Sequence, residues 1–221
     1  MSDPHLVYFA DPMCSWCWGF SPVIEAIEQR FGADLPIRLV LGGLRPGTEE
    51  PLTDAGKAEI QTHWDHVHEA SGQKFDHAFF ARERFVYDTE PSSRAVVVMR
   101  RHSMATALAG LHRIQVAFYA DNRDVTDLNE LTAIAAELGL PADAFRAEMH
   151  SDAAKQETLQ DFALAQRAGI RGFPTLIAGV GRNDQYDLIT NGYQRLELIV
   201  SALEKWRPQP VEQRSGYLAG W

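Results

Sequence analysis

Cys14 and Cys17 are the only cysteines in the 221 residues, and Ser15 and Trp16 separate them as C-x-x-C. A thiolate is both the nucleophile of disulfide exchange and a metal ligand, so this spacing admits two chemistries. In the first, one cysteine attacks a disulfide and the other, one helical turn on, attacks the resulting mixed disulfide. The apolar run before the pair and the helical pattern after it put Cys14 at a strand-to-helix junction. A helix N-terminus carries a partial positive charge and unpaired N–H groups, which favour a thiolate there. Cys14 is therefore the expected nucleophile and Cys17 the expected resolving thiol. The second chemistry, zinc, needs about two further ligands. No third cysteine exists, and His63, His66 and His68 are the candidates left. Histidines at this spacing on a helix also read as plain surface residues.

A second signal is Gly172-Phe173-Pro174-Thr175, directly before a strand-like run. Proline tolerates a cis peptide better than any other residue, and at a strand start it needs no ladder donor. The plainer reading is a trans proline leading a strand. Trp16 and Trp18 flank the cysteines; Trp16 is a candidate substrate platform and Trp18 a core residue. Asp11 is a candidate proton acceptor for the pair, although an aspartate before a proline also reads as a turn residue. Glu25 reads as a solvated charge. The aromatic segment Phe75, Phe79, Phe80, Phe85 and Tyr87 reads as packing between helices.

These residues need elements to position them. Residues 5–10 form an apolar run that suits a buried parallel strand, broken by Asp11-Pro12-Met13. A helix is predicted over 14–31, stopped by Gly32 and kinked at Pro22. A second buried strand over 36–41 ends at Gly42-Gly43 and completes a βαβ unit. Helices are predicted over 53–70, 92–102, 104–120, 126–138, 141–150 and 151–168. Strand patterns return at 175–180 and 186–190, joined by a hairpin-like turn at 181–184, and a helix follows over 194–206. The tail after Pro208 reads as irregular. The order βαβ, helices, ββα is best explained by a helical block inserted into a small α/β core. That makes residues 1–50 plus 170–221 one domain and residues 51–169 the inserted helical domain.

Composition bounds the function. The net charge of −9 argues against a phosphate-binding surface and hence against nucleic acid. No run of eighteen uncharged apolar residues is present, so no membrane span is expected. The N-terminal residues lack the pattern of a secretory signal, and two cysteines are too few for a disulfide-stapled secreted domain. The expected location is the cytoplasm.

Asp11 to Phe20, read DPMCSWCWGF and followed by Pro22, resembles the opening of the DsbA-like thiol–disulfide oxidoreductases of the thioredoxin superfamily. Arg171 to Thr175 is similar to the family's cis-proline loop, and the element order is that of the DsbA-like branch. The resemblance covers nearly the whole chain. It implies an α/β, thioredoxin-like fold with a large inserted helical domain. It also implies disulfide exchange with protein or small thiol substrates, in which Pro174 packs beside the cysteines and discourages metal. Trp16, Phe173, Pro174 and Thr175 would line the substrate groove, and no organic or metal cofactor would be required. Periplasmic DsbA carries Pro-His between its cysteines, whereas this chain has Ser15-Trp16. The expected potential thus lies between about −270 mV, thioredoxin-like, and about −120 mV, DsbA-like. The chain looks closer to the cytoplasmic FrnE-like members, sometimes labelled disulfide isomerases. A sister branch holds the 2-hydroxychromene-2-carboxylate isomerases and kappa-class glutathione transferases, which usually carry serine where Cys14 stands. Asp88 to Ala95 is loosely similar to that branch's glutathione-lining segment. A glutathione-dependent isomerase or transferase is therefore the alternative activity, and a non-catalytic peptide-binding protein the alternative class.

Overall fold

A computed structural model describes residues 4–181 and 186–206. Residues 182–184 of the turn predicted at 181–184 and the tail after Pro208 lie outside the described residues. Strand β1 (Pro4–Ala10), helix α1 (Ser15–Phe31) and strand β2 (Ile37–Leu41) come first. Helices α2 (Asp54–Ser71), α3 (Glu90–Arg100), α4 (Met104–Gln115), α5 (Leu128–Glu137), α6 (Ala142–His150) and α7 (Asp152–Arg167) follow. Strands β3 (Thr175–Val180) and β4 (Tyr186–Asn191) and helix α8 (Leu196–Trp206) close the described chain.

The four strands form one sheet in the order β2-β1-β3-β4. β1 runs parallel to β2, pairing Leu6 with Ile37 and Ala10 with Leu41, and antiparallel to β3. β3 pairs antiparallel with β4, with a bulge between Leu176 and Ile177. Central position explains the unbroken apolar run of β1, because alternate side chains enter two different cores. Leu6, Tyr8 and Ala10 pack with α1 and most of the helices, while Val7 and Phe9 pack with Val40 and Ala165 of α7.

Side chains of the inserted helices cap the open edge of β2, which pairs with no further strand among the described residues. Arg100 of α3 donates to the Leu39 carbonyl (3.0 Å), and Asp161 of α7 accepts from the Leu41 N–H (2.9 Å). Arg100 and Asp161 also pair with each other at 2.6 Å. The block is thereby tied to the strand that ends one residue before Gly42.

Most boundaries differ from the sequence reading by one or two residues, and three of the differences have a local cause. α3 starts at Glu90 rather than 92, because Pro91 is tolerated in a first turn, where the missing N–H has no partner to lose. The stretch 104–120 is not one α-helix: α4 ends at Gln115 and widens into a π segment, Val116–Ala120. α5 starts at Leu128, because Asp127 caps it through the Asn129 N–H and Asp124 folds back on Thr126. α1, by contrast, continues through Pro22. Among the described residues no helix is long and apolar enough to cross a membrane.

Candidate active site

Cys14 is the N-cap residue of α1, in extended conformation, and no side chain caps that end. The loop Asp11-Pro12-Met13 breaks β1 and sets Cys14 at the helix mouth, with its N–H donating to the Asp11 carbonyl. Cys17 falls in the first turn behind it. Both thiols are free, but they differ in access: Cys14 is 6% exposed and Cys17 0%. Burial pushes the Cys17 thiol well above its ordinary value, and its hydrogen bond to Cys14 pushes the same way.

Across from Cys14 lies the loop before β3. The Phe173–Pro174 peptide is cis. Cys14 Sγ lies 3.5 Å from the Phe173 carbonyl oxygen, to which it donates. Pro174 is buried, and its carbonyl accepts from the Gly192 N–H at 2.7 Å. Thr175 is only 2% exposed. Its hydroxyl donates to the Gly172 carbonyl (2.8 Å) and sits 3.2 Å from Asn191 Oδ1. Thr175 thus holds the loop to β4 instead of facing the crevice. The Phe173 ring is seated over Gly42, where a Cβ would lie 2.0 Å from Cζ.

A crevice of about 260 Å³ opens beside Cys14, with Trp16, Leu44, Arg45, Trp64 and Phe173 among its walls. Trp16 is half-buried and leans on Tyr193, with ring centroids 5.8 Å apart. Trp18 is core, stacked on Tyr119 at 6.3 Å. Arg45 sits over the Tyr87 ring at 5.3 Å, and His63 also lines the crevice. His63, His66 and His68 are exposed on α2. The aromatic segment packs around Trp64, which meets Phe75, Phe79 and Phe80 at 4.8–5.1 Å.

Asp11 is fully buried. Its two carboxyl oxygens accept from the N–H groups of Met13 (2.9 Å) and Leu44 (2.8 Å), which joins the cysteine loop to the loop after β2. Burial raises it to about 6 despite those bonds, and its charge reaches Cys17. It is thus far more than a turn residue. Glu25, read as a solvated charge, pairs with His112 at 3.3 Å. The 88–95 segment stands behind the crevice wall: Thr89 Oγ1 accepts from the Arg45 N–H and Asp88 from the Gly47 N–H. Gly42, Leu44, Arg45 and Tyr8 were not singled out from the sequence. The pair Gly42-Gly43 after a strand is the one local cue, since adjacent glycines mark close approach. Tyr8 looked like any residue of an apolar strand, yet its buried phenol lies within reach of the Cys17 charge.

A sheet of this order, with two thiols at the start of the first helix, defines the thioredoxin-like class of thiol proteins. The chain belongs to the family of the DSBA-like thioredoxin domain, whose model matches residues 5–204. A Nitrosomonas europaea protein provisionally described as a protein disulfide isomerase is 39% identical, with a TM-score of 0.84 over 96% of this chain and 99% of that one. The cytosolic disulfide reductase DsbM from Pseudomonas aeruginosa is 26% identical, with a TM-score of 0.74 over 91% of this chain and 98% of its own. DsbM has also been solved with GSH, at 25% identity and a TM-score of 0.73. The ClpXP adapter protein SpxH of Bacillus subtilis (strain 168) is 22% identical over 76% of this chain. The chain spans just over half the length of that relative, 56%.

Proposed function

We propose that the chain is a cytoplasmic thiol–disulfide oxidoreductase that reduces disulfides with electrons from glutathione or a similar small thiol. The observation that carries the reading is the unequal access of the two sulfurs: Cys14 meets a crevice and Cys17 meets only the protein. Cys14 attacks one sulfur of a substrate disulfide. The S–S bond breaks, and the other substrate sulfur leaves as a thiolate and takes up a proton. Cys17 then attacks Cys14 sulfur, forming the Cys14–Cys17 disulfide and releasing the second substrate thiol. Two electrons pass to the substrate. Two glutathione thiols return them and leave as glutathione disulfide.

The raised Cys17 thiol needs a base to become a nucleophile. Asp11, ionised at neutral pH, serves as the acceptor of that proton. Phe173 and Trp16 flank the substrate, while Pro174 and Thr175 hold the Phe173 carbonyl toward Cys14. The Arg45 guanidinium and the His63 ring N–H at the crevice suit the carboxylates of glutathione, and the GSH-bound DsbM structure supports the same donor. No cofactor enters the cycle.

The test is insulin reduction with glutathione as the only reductant. Wild type should turn over, Cys14→Ser should not, and Cys17→Ser should stall as a mixed disulfide visible by mass. No turnover by wild type, or turnover by Cys14→Ser, rules the reading out.

A second reading, peptide binding without turnover, has one observation in its favour. On the far side of Phe173 a groove of about 550 Å³ is flanked by Leu44 and Leu159, which are 41% and 51% exposed. If that reading holds, Cys14→Ser binds reduced insulin chains as well as wild type does, and glutathione changes nothing.

A further inference from the structure

A third cavity, of about 320 Å³, lies between α1 and α4 and shares no wall residue with the Cys14 crevice or the groove beyond Phe173. Its sides are apolar: Ile24 from α1, Leu108 and Leu111 from α4, and Leu138 after α5. Polar residues line it too, and one of them is buried without a partner. Gln115 lines it and is 0% exposed, yet neither its Oε1 nor its Nε2 has a hydrogen-bond partner among the described residues. A primary amide offers one acceptor and two donors, and burial without partners forfeits all of them. Tyr8, 1% exposed, also lines the cavity. Gln115 also stands where α4 widens into the π segment, a distortion common at functional sites.

We infer that this cavity is a ligand site, separate from the thiol crevice, for a small planar molecule with an adjacent N–H donor and C=O acceptor, a lactam or carboxamide. The donor–acceptor edge pairs with the Gln115 amide, which presents the complementary pair. The volume is roughly twice the ~150 Å³ that accommodates one benzene in an apolar protein cavity, so one or two fused rings fit. A largely apolar surface with a few placed polar groups is the ordinary make-up of a small-molecule site, and such sites favour the seam between packed helices. The lining also carries charges of both signs, Glu25 and Glu28 against Arg113, which suits a neutral ligand.

The probe is 2-quinolone, a neutral two-ring lactam, titrated calorimetrically into the full chain. The control is 1-methyl-2-quinolone, which keeps the shape and loses the N–H. Two variants complete the set. Gln115→Leu keeps the bulk and removes the amide, and Ala109→Phe fills the cavity from an exposed wall position. The expected result is one-to-one binding of 2-quinolone to wild type, weakened by about tenfold or more by the N-methyl group and by each variant. Thermal unfolding checks that the variants fold; should Gln115→Leu fail, Ala109→Phe still decides. Insulin reduction by Ala109→Phe should match wild type, which separates this site from the redox reading. No binding of 2-quinolone, or equal binding of its N-methyl form, overturns the proposal. So does wild-type affinity in a folded variant.

Discussion

The Phe173 carbonyl oxygen lies 3.5 Å from Cys14 Sγ, although 159 residues separate them in the chain. The contact comes from two neighbouring strands of the sheet, β1 ending at Ala10 and β3 beginning at Thr175. Each is followed or preceded by a loop anchored at a buried polar residue, Asp11 on one side and Thr175 on the other. A substrate sulfur approaching Cys14 must therefore pass the Phe173 backbone.

Unequal access gives the first expected outcome. Iodoacetamide should alkylate Cys14 in the folded protein at least an order of magnitude faster than Cys17, because a fully buried thiol with its proton held is a poor nucleophile. Peptide mapping after a short pulse reads the ratio. Equal labelling in the fold would mean that the first turn of α1 opens freely.

Asp11 carries a pH dependence with a definite sign. Its carboxyl sits at 3.8 ordinarily and about 6 here, so the folded state holds the proton more tightly than the unfolded state. Its contribution to stability is whole below about 4 and fades as pH rises through 6, by about 3 kcal/mol in all. Asp11→Asn removes the titration while losing an acceptor for one of two N–H groups. The stability advantage of wild type over this variant, from urea unfolding, should thus shrink between pH 4 and pH 7.5. Over the same range the resolving step of wild type should quicken as Asp11 ionises, and that of Asp11→Asn should stay slow. A pH-independent difference between the two proteins would remove Asp11 from both roles.

The Arg100–Asp161 pair should matter for stability and not for thiol chemistry. Asp161→Ala leaves a largely buried guanidinium and an orphaned Leu41 N–H. Removing one partner of a buried pair costs about 3–5 kcal/mol. Urea unfolding should show that loss, while Cys14 alkylation in the folded state stays at the wild-type rate. A cost below 1 kcal/mol would mean that water or Glu157 replaces the carboxylate.

The local rules of helix, strand and turn located β1, α1, β2 and α8 closely, because those elements carry apolar runs or stripes bounded by Gly or Pro. They also marked Cys14, Cys17 and Pro174, whose residue types are scarce and whose spacings are meaningful. They could not reveal Asp11 as a buried acid. Its burial comes from Leu44, 33 residues on, whose N–H it accepts. Nor could they find Arg45 or Trp64, which reach the crevice only because the inserted helices fold back over the sheet. The π segment after Gln115 had no local signal at all, since residues 116–120 are ordinary helix formers in pattern. Contacts made across the chain decide these features, and a periodicity cannot encode them.

Gly42 offers the sharpest test of the crevice geometry. Its φ is not in the left-handed region, so an alanine there suffers no backbone strain. The obstacle is the Phe173 ring, three of whose atoms would lie 2.0–2.7 Å from the new Cβ. Real atoms do not share that space, so the ring must leave its seat, and the Cys14 crevice loses that wall. Overpacking of this kind costs about 1–3 kcal/mol. Gly42→Ala should therefore lose stability in that range and lose most insulin reduction, while small-reagent alkylation of Cys14 persists. Trimming the ring should undo the clash: the Gly42→Ala, Phe173→Ala double variant should be more stable than the sum of the two single losses allows. Gly56 in the first turn of α2 is the control. An added Cβ meets nothing closer than 3.4 Å there, so Gly56→Ala should be neutral or stabilising by up to about 1 kcal/mol. Strictly additive losses at Gly42 and Phe173 would show that the two residues do not share a seat, and the ring would no longer be a wall of the crevice in which Cys14 works.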